Sequence, residues 1–306
     1  MKVLITGGSG FVGTALTRFL VNRGHEVSIL SRGGKPGKHA SSLVSTIIGD
    51  PTKAGEWQAA VAGHDVLINL AGASIFRRWT PKFKQRIRDS RILTTRHLVD
   101  AISPGSATTL LSTSAVGYYG FSGDEELDES APAGSDFLAR LAQDWEAEAA
   151  RARDKGARVV LTRFGVVLGN DGGALEQMIR PFRFFVGGPL GTGEQWFSWI
   201  HIDDLCRAAG YVISESRISG PVNFTAPRPM KNREMARVIG KVMGKPSFMP
   251  APGFMISLVL GEFGEVILKG QRVVPRLLLA RGFRFLYSDI EAALRNLLSR
   301  SLTADS

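Results

Sequence analysis

Near its start the chain carries KVLITGGSGFVG, residues 2 to 13, where Gly7, Gly10 and Gly13 recur every third position directly behind an apolar run. Glycine at this spacing suits the binding of a diphosphate. Gly7 permits a tight turn, Gly10 lets backbone approach a pyrophosphate, and Gly13 lets a helix sit close to a sheet, with Ser9, Phe11 and Val12 completing the contacts. The free N–H groups of the helix that follows would face the anion. A second cue lies at the end of the next apolar run, VSIL at 27 to 30, where Ser31 and Arg32 stand. An acid placed there accepts bonds from a ribose 2′-hydroxyl, whereas a guanidinium favours a 2′-phosphate. Ser31 would donate a second bond, and Lys35 and Lys38 follow nearby. The spacing therefore predicts NADP(H) over NAD, the alternative being a solvated loop arginine. Asp50 is placed to meet the adenine, Leu70, Ala71 and Gly72 are small enough to let backbone approach the cofactor, and Arg91 would reach a phosphate or belong to a solvated basic surface.

These residues need a scaffold, and the apolar pattern supplies one. Lys2 to Thr6 reads as a buried parallel strand. Leu16, Phe19 and Leu20 recur at helical spacing, and Gly24 stops the helix before VSIL begins the second strand. STIIGD at 45 to 50, DVLINLAG at 65 to 72, TLLSTSAVGYYG at 109 to 120 and GARVVLTRFGVVLG at 156 to 169 continue the strands. A helix is predicted from about Pro81 to Ile102, and another in FLARLAQDWEAEAARAR with Leu138, Leu141, Ala142 and Trp145 on one face. Strand and helix thus alternate to about residue 169. The fold class is α/β, a Rossmann-type doubly wound parallel sheet with a smaller C-terminal substrate domain. The expected division is a nucleotide-binding domain over 1–169, with 199–220 packing back on it, and a smaller domain from 170–198 and 221–306. Aromatic residues cluster at Phe182, Phe184, Phe185, Trp196, Phe197 and Trp199, lining a cleft or forming a satellite core. The prolines of MPAPGF at 249 to 254 mark a rigid connector.

Composition narrows the remaining choices. In 306 residues with one cysteine, Cys206, no internal disulfide can form, which fits a reducing compartment, and the expected location is cytoplasmic. No apolar run reaches transmembrane length, so no membrane partner is expected. The formal charge of +10 raises polynucleotide binding as an option. Eight cations (Arg77, Arg78, Lys82, Lys84, Arg86, Arg88, Arg91, Arg96) face one acid, Asp89, over 77–97, while DEELDE at 124 to 129 gathers acids elsewhere. That segregation suits a small phosphorylated ligand as well as a polynucleotide, and no nucleic-acid-binding signature accompanies it. No nucleic acid is expected. The five histidines show no metal-ligand spacing, so no metal is expected either.

TGGSGFVG, NLAG, STSAVGYYG, RFGVVLG and WIHIDDL together resemble the extended short-chain dehydrogenase/reductases. RRWTPKFKQRIRDSRILTT, GGPLGTGEQWFSWIH, NFTAP, LGE and LKGQRVVPRLLLARGFRF resemble more narrowly the YfcH-like epimerase family proteins, which carry a C-terminal domain of unknown function. The likeness runs over about residues 2 to 298. It implies NADP(H) contacts at the glycine turn, Ser31, Arg32, Leu70, Ala71 and Arg91, and it adds Val167. It also implies an oxidoreductase or epimerase acting on a nucleotide-sugar-like or other polar small molecule, and a possible homodimer through the helices of 81–102 and 137–153. Six positive charges on the first of these would repel across a two-fold axis unless acids oppose them.

The chain departs from that group at one point. The superfamily uses a Tyr and a Lys four residues on, one helical turn apart, so that the ammonium lowers the phenol pKa. Four residues beyond Tyr118, Tyr119, Tyr211 and Tyr287 stand Ser122, Gly123, Glu215 and Glu291, and Phe137 and Leu141 occupy the expected place. Catalytic candidates are then Ser114, at the superfamily's strand-five serine, with Tyr118 or Tyr119 as a nearby phenol; the alternative is that they only pack. His201 and Asp203 read as a strand-to-helix junction with Asp203 or Asp204 as N-cap. Without the dyad, a non-catalytic NADP(H)-binding redox sensor or interaction protein is the competing function.

Overall fold

The computed structural model describes residues 1–33 and 41–302, with side chains described to 299; Lys35 and Lys38 lie outside the described residues. Its centre is a seven-stranded parallel sheet. Lys2–Thr6 (β1) pairs on one side with Glu26–Ser31 (β2), which pairs with Val44–Ile48 (β3). On the other side β1 pairs with Val66–Asn69 (β4), then come Thr109–Ala115 (β5), Arg158–Phe164 and, at the edge, Gly220–Phe224. The strand order reverses at β1, which puts the crevice for a ligand at the carboxyl ends of β1 and β4. Val3, Leu4 and Ile5 are buried on both faces, as their unbroken apolar run requires.

Helices cover both faces. Phe11–Val21 (α1) follows the glycine turn, and Pro81–Asp100 (α2) starts with proline at its first position while the Thr80 hydroxyl accepts from the Phe83 N–H. Phe137–Ala150 (α3) is capped by Asp136, whose carboxylate accepts from the Leu138 and Ala139 N–H groups. Leu175–Arg183 (α4), Ile202–Ser214 (α5), Asn232–Met243 (α6), Gly253–Leu260 (α7) and Glu262–Ile267 (α8) follow. The C-terminal helices Arg276–Ala280 and Ile290–Leu302 share one core with the sheet, since Leu278, Phe283, Ala293 and Leu294 belong to the same buried cluster as Val3, Ile5 and Leu16. The segment from 221, expected in the smaller unit, instead continues the edge strand begun at Gly220. Helix begins at Gly253, inside the expected proline connector, because Pro252 can precede a helix without interrupting it.

Ion pairs account for part of the basic stretch. Arg88 pairs with Asp144, Arg96 with Glu148 at 3.1 Å and Lys84 with Glu262 at 2.7 Å. The acids that oppose α2 therefore come from α3 and α8 of the same chain.

Candidate dinucleotide and substrate site

The glycine turn is packed so closely that only glycine fits. A Cβ on Gly13 would lie 2.3 Å from the Gly7 carbonyl oxygen and 2.6 Å from Gly8 Cα; one on Gly7, whose φ is +73°, would lie 2.9 Å from the Leu70 carbonyl carbon. Helix α1 thus begins directly against β1 and β4, and Ser9 and Gly10 are left exposed at the tip of the turn. Gly10 is the N-cap and has no side chain to answer the first-turn N–H groups, which stay available to an anion. Phe11 and Val12 are half-buried beside them. The Phe11 ring covers Gly169 and Gly173, and Gly173 also abuts the Val167 carbonyl, so Val167 comes to the same end of α1.

At the tip of β2, Arg32 is exposed. Ser31 Oγ donates to the Gly33 carbonyl at 3.0 Å. Asp50 follows β3 and turns back on its own loop, accepting from Thr52 N and Oγ1. Those bonds to Thr52 lead in holding its carboxyl below the usual range, with a smaller contribution from Arg32.

Arg91 is not on a solvated surface. Its guanidinium lies against Gly72, donates to the carbonyls of Ala73 and Ile87, each at 3.1 Å, and faces the Trp145 ring. Burial pushes it down to about 10. No carboxylate pairs with it among the described residues, so a partly buried cation stands at the carboxyl end of β4 with capacity for an anion. Its neighbour Ser90 accepts from the Ala73 N–H at 2.9 Å. A buried relay fixes this end of the sheet: Thr6 Oγ1 donates to Asn69, Asn69 to Thr95, and Trp145 Nε1 to the same Thr95 oxygen.

The catalytic candidates gather around Arg163 but differ in how they are engaged. Ser114 is 1% exposed and donates to Glu146 Oε1 at 2.6 Å, so it serves α3 rather than a substrate hydroxyl. Arg163 holds Glu146 in a two-pronged pair at 2.8 Å on each side and donates to the Tyr119 hydroxyl at 2.9 Å. Burial works against the Arg163 charge, but the Glu146 bonds hold it above its ordinary value. Tyr119 donates to Asn223 Oδ1 at 2.7 Å, and burial pushes its phenol up to about 12. It is a packing residue of the network. Tyr118 differs: it is half-buried, the Arg163 guanidinium lies 3.5 Å over its ring, and among the described residues no hydrogen bond engages its hydroxyl.

Apolar packing fills the expected place of the Tyr–Lys dyad. Phe137 meets Trp79 edge-on with centroids 5.3 Å apart, Trp79 lies 5.6 Å from Phe263 of α8, and Leu141 is buried in the same cluster. At the strand-to-helix junction the cap is His201, not an aspartate. Its Nδ1 accepts from the Asp203 N–H at 3.0 Å, a role free to it because a neutral imidazole nitrogen carries an acceptor lone pair. Asp204 is fully buried, accepts from the Leu286 and Tyr287 N–H groups and pairs with Arg207.

Comparison with known proteins adds independent information. Residues 3–224 match the model of the NAD dependent epimerase/dehydratase family, and 251–297 match a domain of unknown function, DUF1731. An Arabidopsis thaliana relative, the chloroplastic epimerase family protein SDR39U1 homolog, is 41% identical, covering 97% of this chain and 87% of its own length. Epimerase family protein YfhF of Bacillus subtilis (strain 168) is also 41% identical, with 98% of both chains covered. The crystal structure of human epimerase family protein SDR39U1 (isoform 2) with NADPH superposes with a TM-score of 0.85 at 37% identity, covering 97% of this chain and 99% of that one.

Proposed function

The chain belongs to the NAD dependent epimerase/dehydratase family, and we propose that it binds NADP(H) across the opening of α1 and uses it on a polar, nucleotide-sugar-like small molecule. The observation that carries this is the backbone cradle of Gly7, Gly10 and Gly13, closed against Leu70, with exposed Arg32 at the end of β2 to meet a 2′-phosphate. The fit extends to Arg91, a guanidinium with no carboxylate partner beside Gly72. The human relative solved with NADPH supports the same choice of cofactor.

The nicotinamide, when bound, supplies or accepts a hydride. Tyr118 is the candidate to move the balancing proton, the phenol among the three candidates whose hydroxyl no hydrogen bond engages among the described residues. The Arg163 guanidinium lies 3.5 Å over its ring. Arg163, locked by Glu146, keeps that cation in place. Phe137 and Leu141 pack with Trp79 and Phe263 and carry no titratable proton. The single cysteine fits a cytoplasmic protein.

A non-catalytic NADP(H) sensor is the second reading, favoured by the withdrawal of Ser114 and Tyr119 into the buried network. Following NADPH absorbance with a panel of carbonyl compounds and nucleotide sugars separates the two. Turnover lost in Tyr118→Phe, with NADPH affinity retained, supports the enzyme; NADPH binding without turnover across the panel supports the sensor.

A further inference from the structure

The far end of α1 holds a second cavity. It has a volume of about 380 Å³ and lies between the last turns of α1, the second half of α5 and the loop at 282–284. About eight residues of helix, 11 to 18, separate it from the glycine turn, about 12 Å at 1.5 Å each. Its walls are aromatic. The Tyr211 and Phe283 rings lie 5.5 Å apart, and Phe19 faces them across Gly210, where a Cβ would come within 2.8 Å of the Phe19 ring.

The cavity's charge has one sign. Arg23, Arg207 and Arg284 line it with His25, and no acid among the described residues does. Arg207 is committed to Asp204. Arg23 lies 3.6 Å over the Phe19 ring, and neither Arg23 nor Arg284 has a carboxylate partner among the described residues. His25 is held below its ordinary value by burial, then by the N-terminal ammonium and Arg23. Two helix C-termini point here and bring about half a negative charge each, less than the guanidiniums supply. The end of α5 is further answered by Arg158, which donates to the carbonyls of Val212 and Ile213.

We propose that this pocket binds a small aromatic phosphate monoester, its ring against the side chains of Phe19, Tyr211 and Phe283 and its phosphate on Arg23 and Arg284. Aromatic faces and guanidiniums together recognise a flat ring carrying an anion. The site is separate from the glycine turn, so its ligand and a dinucleotide bind at once.

Phenyl phosphate is the probe, titrated by calorimetry with and without saturating NADPH, beside inorganic phosphate and phenol. The expected result is phenyl phosphate binding that survives NADPH and exceeds either fragment by about tenfold, since ring and anion contribute separately. Arg23→Gln with Arg284→Gln should weaken it by about tenfold or more, and both side chains are exposed, so the fold should hold. Amide shift changes in the wild-type chain provide a readout without substitution: they should fall at Phe19, Tyr211 and Phe283 and spare Gly7 to Gly13. No binding, displacement by NADPH, shifts centred on the glycine turn, or an unchanged affinity in the double variant each overturn the proposal. Because the titration is run without NADPH as well, failure of the cofactor assignment leaves this outcome readable.

Discussion

Gly13→Ala tests the packing that aims the helix opening. The added carbon would sit 2.3 Å from the Gly7 carbonyl oxygen and 2.6 Å from Gly8 Cα, about 1 Å inside ordinary contact, and both neighbours are backbone with no rotamer to escape into. The turn or the helix must retreat by a comparable distance. Overpacking of this kind costs about 1–3 kcal/mol, offset by about 1 kcal/mol of helix propensity gained on replacing glycine. The net loss of stability should be about 0–2 kcal/mol, a fall of up to roughly 5 °C in Tm for a chain of this size. Binding should suffer more. A shift of that size misaligns about one of the N–H groups that would meet the diphosphate, at about 1.5–3 kcal/mol for a charge-assisted bond, so Kd for NADPH should rise about 10- to 150-fold. Fluorescence titration reads the Kd and circular dichroism the Tm. Gly63→Ala is the control, since nothing lies within 4 Å of a Cβ there. A Gly13→Ala variant that binds NADPH within about twofold of the parent, an energy difference of under 1 kcal/mol, would refute the reasoning.

Other substitutions probe the surrounding groups. Glu146→Gln leaves the buried Arg163 without its charge partner and should cost about 3–5 kcal/mol, read as a shifted urea midpoint, whereas a loss under about 1 kcal/mol would mean the pair carries little. Arg91→Met should weaken NADPH binding about tenfold while the Tm of the unliganded chain holds or rises, because a cation without a carboxylate partner is removed; a large fall in Tm with intact affinity would make Arg91 purely structural. Burial is the leading cause that raises the Glu129 carboxyl above its ordinary value. The folded chain therefore holds that proton more tightly than the unfolded one, and stability should fall as pH rises from the ordinary carboxylate value through the raised one. Glu129→Gln should flatten that fall in denaturant titrations at several pH values, and an unchanged slope counts against it.

Much of the scaffold was readable because it is local. The glycine turn, the apolar strands and the proline start of α2 each depend on residues a few positions apart. What escaped was assembled from distance. Glu146, Arg163 and Asn223 form one network from α3 and two neighbouring strands, and no spacing in the sequence marks them as partners. The same holds for Phe263, which reaches Trp79 from a segment more than half the chain away. Arg91 was found by its position beside an apolar face, but its withdrawal from water depends on Gly72 and Trp145. The cap at His201 was assigned to an aspartate because carboxylates commonly fill that role, and Asp204 proved to be tied to Leu286 and Tyr287 instead.

The most direct test is a paired titration of the purified chain with NADPH and NADH at fixed ionic strength. A guanidinium at Arg32 meeting a 2′-phosphate predicts tighter NADPH binding by about 10- to 100-fold, a preference that Arg32→Ser should erase. NADH binding as tightly as NADPH, or no affinity for either, would contradict the account.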